Sequence, residues 1–194
     1  TQILTGFEII EDSTNQVVIR NILHPKNFSF RESIDKMFLM THSMFQDAIT
    51  SISENKKGLA QDVIERDYDI DKLYFLILRQ NRYLLQNKIS EEKLNLSPIK
   101  TLYYEGIAIQ LERIADHAVK IAQIVVDDRF IFSRKFGQIL QETAQKILPL
   151  LKEAEYFVED IDKTKAHKVL NVAPKINKSI DMFSLEIIKQ GSAR

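Results

Sequence analysis

IQLERIADHAVKIAQ, from Ile109 to Gln123, is apolar at helical spacing, yet Glu112 and Asp116 sit one turn apart on a shared face. Side chains at i and i+4 project the same way from a helix, so the pair forms one small acidic site. A plain core helix has no need of such a pair beside its apolar stripe. Reading outward from it means asking which other segments bring carboxylates to the same height.

The chain has 194 residues, enough to bury a sizeable core without staples. It has no cysteine, which excludes disulfides, zinc-thiolate sites and cysteine nucleophiles and leaves any metal to oxygen or histidine ligands. Lys+Arg and Asp+Glu are both 27, so a chain-wide basic surface for nucleic acid is not expected. No apolar run approaches the ~20 residues of a membrane span, and no signal peptide is visible. A cytoplasmic protein without membrane insertion is the expectation. The first residue is Thr1 rather than Met, which suggests a piece of a longer chain.

Residues 1–28 read as a β-hairpin and linker, with strands at Phe7 to Ile10 and Gln16 to Leu23 around the turn-like Glu11 to Asn15. Ser29 and Glu32 form a capping box that starts a first helix, with its apolar stripe from Ile34 through Met37, Met44 and Ala48 to Ile52. It should end near Asn55-Lys-Lys-Gly58, with the glycine as the stop. A second helix should run from about Leu59 to Gln86, and a third from Ser97-Pro98 to about Asp127. A fourth begins at Ser133 and contains Pro149, where a kink is expected. A fifth, from about Lys163 to Gln190, contains Pro174. The connections favour antiparallel neighbours, hence an all-α, up-down helical bundle.

The second helix carries Asp67 and Asp71, again one turn apart. Counting back from its end gives ~28 Å to Asp69, and counting along the third helix gives ~26 Å to Ile114, so antiparallel packing sets the acidic pairs nearly level. The same logic brings Asp47 of the first helix level with Asp67. On the helical wheel Glu105, Glu112 and Asp116 edge an apolar arc centred on Ala108, Leu111, Ala115, Ala118 and Ala122, which predicts a site at the bundle surface. Such crowded acids favour a bound cation or raised pKa values. The bland alternative is that they face water or pair with Lys72, Arg113 and Lys120. The histidines at 24, 42, 117 and 167 are scattered and read as surface or core residues. Met37, Met40 and Met44 read as core filler.

These residues resemble a known family. LERIADHAVKIAQ (Leu111 to Gln123) is similar to the signature of the PhoU family, whose helices bear a repeated Glu/Asp-x-x-x-Asp motif, and VIERDYDIDKLYFLIL (Val63 to Leu78) resembles its preceding helix. The resemblance implies PhoU-like three-helix repeats: residues 29–130 as the first, and 131–194 as a partial, diverged second. Ile176 to Ile188 aligns with Arg66 to Leu78, setting Asn177 and Asp181 against Asp67 and Asp71, and no sixth helix precedes Arg194. The opening TGFEIIEDSTNQVVIRNIL looks like archaeal members in which an AbrB-like DNA-binding domain precedes the PhoU part. By implication the protein is a non-enzymatic regulator of phosphate uptake and phosphate-responsive transcription, and it forms homodimers. It would work with a phosphate transporter or its regulatory components, and touch DNA only through that upstream domain. Asp67, Asp71, Glu112 and Asp116 would hold iron or zinc; Glu105 and Asp47 are added by the spacing argument. The competing readings are a metal-free helical scaffold or dimerisation module and a carboxylate-bridged metalloenzyme.

Overall fold

The computed structural model describes residues 7–12, 16–21, 29–87, 97–127 and 133–158, together with His167, Asn171 and Pro174. The described fold is all-α, with a small hairpin ahead of four helices. Strand β1 (Phe7–Asp12) pairs antiparallel with β2 (Val17–Asn21), Phe7 opposite Asn21 and Asp12 opposite Val17, with a register shift between Ile9 and Glu11. The first strand therefore continues through Glu11 and Asp12, which the sequence reading gave to the turn.

Helices α1 (Phe30–Glu54), α2 (Lys57–Asn87), α3 (Pro98–Val126) and α4 (Arg134–Phe157) follow. Three of their starts are set by serine. The hydroxyl oxygens of Ser29, Ser97 and Ser133 accept from the backbone N–H of Glu32, Lys100 and Phe136 at 3.2, 3.3 and 3.2 Å. Each satisfies one of the donors that a helix start leaves without an intrahelical partner. The end of α1 differs from expectation. Asn55, with φ of 52°, takes the left-handed position, and the Lys56 N–H donates to the Ser51 carbonyl at 2.9 Å. Asparagine tolerates that conformation, so the chain turns three residues before Gly58, which lies in the first turn of α2 instead. Helix α4 stays helical through Pro149. The fifth helix lies outside the described residues apart from His167, Asn171 and Pro174, which are helical; Asn177 and Asp181 also lie outside them.

Contacts group the chain into two compact units, residues 1–41 with 66–115 and residues 42–65 with 116–194. This division cuts across the helices. In the first unit the Thr41 hydroxyl donates to the Leu111 carbonyl at 3.4 Å, and Phe30 stacks on Tyr104 with ring centroids 5.8 Å apart. Both contacts advance together along the two helices, so α1 and α3 run the same way. Helix α2 runs against them: Asn81 near its end meets Glu105 near the start of α3, and Tyr74, earlier on α2, feels the charge of Glu112, later on α3. The order is up, down, up. Its core includes Ile34, Met37, Ile70, Ile77, Ala108 and Leu111. In the second unit, Met44, Ala48, Ile52, Val63, Ala118 and Ala122 are buried. There α1 crosses α4 closely, the Ser53 hydroxyl lying 2.7 Å from the Ile49 carbonyl and 3.1 Å from that of Gly137. Among the described residues, no helix is long and apolar enough to cross a membrane.

Candidate functional site

On α2 the residues Asp67, Asp71, Tyr74, Leu78 and Asn81 alternate in steps of four and three, so they line one face of the helix. On α3 the corresponding line is Glu105, Ile109 and Glu112, with Asp116 one turn further along. All six expected site residues, Asp47, Asp67, Asp71, Glu105, Glu112 and Asp116, are half-buried. That is the exposure expected at the edge of an apolar arc.

Two relationships fix the register within the first unit. The Asn81 side-chain amide donates through Nδ2 to Glu105 Oε2. Seven residues back on α2 and seven on along α3, Tyr74 lies within electrostatic reach of Glu112. Its phenol is pushed above its ordinary value of 10.0, by desolvation first, then by the charges of Glu112 and Glu105, with Arg82 acting the other way. In this register Lys72 comes level with Ile114. The midpoint of Asp67 and Asp71 is thus about three residues, or ~4.5 Å, from the level of Ile114. Antiparallel counting through the connection anticipated an offset of ~2 Å.

The structure brings Asp67, Asp71, Glu105 and Glu112 onto the facing lines of α2 and α3 in one unit. Asp116 and Asp47 fall in the other unit, where Asp47 accepts from the Ser43 hydroxyl one turn before it, at 3.4 Å. Lys72 bridges to Asp69 at 3.2 Å and lies 3.9 Å from the Tyr68 ring centroid, while Arg113 and Lys120 are exposed. His42 is half-buried and His117 and His167 are exposed. Met37 and Met44 are in the core.

The sequence reading missed the part played by Asn81 and Tyr74. Asn81 is 1% exposed, and neither residue was singled out from the sequence. The available signal was the four-three alternation continuing past Asp71.

The donor set is all oxygen, which suits a hard cation. Among the described residues, however, no three His, Cys, Asp or Glu side chains are grouped so as to hold a metal ion. One oxygen of Glu105 is already taken by Asn81. Holding an ion therefore requires the carboxylates to turn inward from the positions they occupy here.

Comparison with known proteins adds a family. Residues 34–125 match the PhoU domain, a stretch that runs from the second turn of α1 to the last turn of α3 and contains all six acids. No curated protein and no solved structure matches the chain.

Proposed function

We propose that this chain, whose residues 34–125 form a PhoU domain, is a cytoplasmic, metal-responsive regulator of phosphate uptake. PhoU domains function in the regulation of phosphate transport, and the family is regulatory rather than enzymatic. The observation that carries the finer reading is the placement of Asp67 and Asp71 on the line of α2 that faces Glu112 of α3. Asp67, Asp71 and Glu112, with Asp116 as the second member of the Glu112 motif, are the proposed ligands of iron or zinc. Bound there, the ion would offset the like charges and tie α2 to α3. Glu105 is the weaker candidate, because Asn81 holds it, and Asp47 rests on spacing alone. The regulator would act as a homodimer with a phosphate transporter or its regulatory components. It would reach DNA through an AbrB-like domain upstream of these residues.

Elemental analysis of the purified, dialysed protein beside a Glu112→Ala/Asp116→Ala variant tests this. Iron or zinc in the parent and none in the variant is expected. Equal metal content in both would sink the assignment.

A second reading, a metal-free helical scaffold or dimerisation module, draws on the ungrouped acids and the clasped Glu105. It predicts no metal in either protein and unchanged stability of the variant.

A further inference from the structure

Asn81 occupies a position in the first unit where a leucine would be unremarkable. Three residues before it on the same line is Leu78, and three after it is Leu84, buried like Ile77. Its side chain is 1% exposed, its Nδ2 donates to Glu105, and its Oδ1 has no hydrogen-bond partner. A buried acceptor left without a partner costs about 1–3 kcal/mol, much the same as a hydrogen bond to a charged group returns, about 1.5–3 kcal/mol. By that comparison the pair adds little net stability to α2 against α3. Buried polar pairs that do not stabilise have one well-attested use, which is to specify register between helices.

We propose that Asn81 and Glu105 form a register latch between α2 and α3, and that this pair is what sets Tyr74 opposite Glu112. The apolar line of α2 repeats every two turns, with Ile70, Ile77 and Leu84 alike in size and chemistry, while α3 offers it Ala108 and Ala115 at the same spacing, with Leu111 between them. Such surfaces accept a two-turn slip with little loss of buried area. A slipped register leaves both the buried amide and the Glu105 carboxylate without their partner, so the polar pair penalises it where the apolar contacts do not. Asn81 and Glu105 are positioning residues here: they act on the facing acids through the placement of the helices. The latch does not depend on whether those acids bind metal.

The natural absence of cysteine makes register directly measurable. Two double-cysteine variants serve as rulers, since a disulfide needs Cα atoms within about 7 Å. Leu78→Cys/Ile109→Cys reports the observed register, and Leu78→Cys/Leu102→Cys reports a slip of two turns. With Asn81 intact, the first pair should oxidise and the second should stay largely reduced. Adding Asn81→Leu should leave the protein folded with a melting temperature no lower than its parent, and both pairs should then oxidise. With Asn81 intact, Glu105→Gln, which still accepts from the amide, should keep the preference for the first pair. Retention of the single register in Asn81→Leu would overturn the latch. So would a failure of that variant to fold, which would make the pair a stabilising contact rather than a specifying one.

Discussion

A Cβ built on Gly137 stands 3.0 Å from the Cα of Ser53 and 3.1 Å from its carbonyl oxygen. Both obstacles are backbone, so neither can swing aside, and α1 and α4 approach as closely as they do because residue 137 has no side chain. Gly137→Ala should lose about 1 kcal/mol net, overpacking of about 1–3 kcal/mol being partly offset by the better helix propensity of alanine. Gly106 in α3 is the control. Nothing lies within 4 Å of its Cβ, so Gly106→Ala should gain about 0.5–1 kcal/mol. Thermal melting of the two variants should move in opposite directions, by roughly 2–4 °C per kcal/mol.

The turn between α1 and α2 rests on Asn55 at φ 52°. Glycine adopts this conformation without strain and a β-branched residue does not. Asn55→Gly should be neutral to slightly stabilising, and Asn55→Val should cost about 1–2 kcal/mol. Chemical denaturation gives both values; equal stability of the two variants would contradict the assigned turn.

Tyr74 gives the seam between α2 and α3 a pH signature. Its phenol is raised by desolvation and by Glu112 and Glu105, so the folded protein holds that proton more tightly than the unfolded chain does. The stability this represents is fully present below the unfolded value near 10 and is lost as pH rises through the folded value. Tyr74 should therefore ionise late in an ultraviolet titration, and Tyr74→Phe should remove that late phase. Glu112→Gln should bring the phase to lower pH.

How much of this was legible in the sequence depends on how local the cause was. Ser29, Ser97 and Ser133 mark helix starts because capping involves residues three apart. The apolar stripes of α1 and α3 could be read because burial follows the helical period. The near-level placement of Asp67 and Asp71 with the Glu112 segment was also within reach, since antiparallel counting needs only the rise per residue. Asn55 was passed over for Gly58 because glycine is the commoner helix terminator. The clasp of Glu105 by Asn81 and the close crossing at Gly137 depend on which side chain a neighbouring helix presents, and nothing local announces that. The interleaving of residues 42–65 with 116–194 is likewise a property of packing.

The central claim, that the acids facing across α2 and α3 hold a metal ion, meets its most direct test in a melting experiment. The metal-stripped protein and an Asp71→Ala variant are melted with increasing zinc, and separately with ferrous iron under anaerobic conditions. A ligand that binds only the folded state stabilises it by about 2.7 kcal/mol at a hundredfold excess over its dissociation constant. The account predicts a concentration-dependent rise in the parent's melting temperature with at least one of the two metals, and a much smaller rise in the variant. Parent and variant rising equally, or neither rising with either metal, would contradict it.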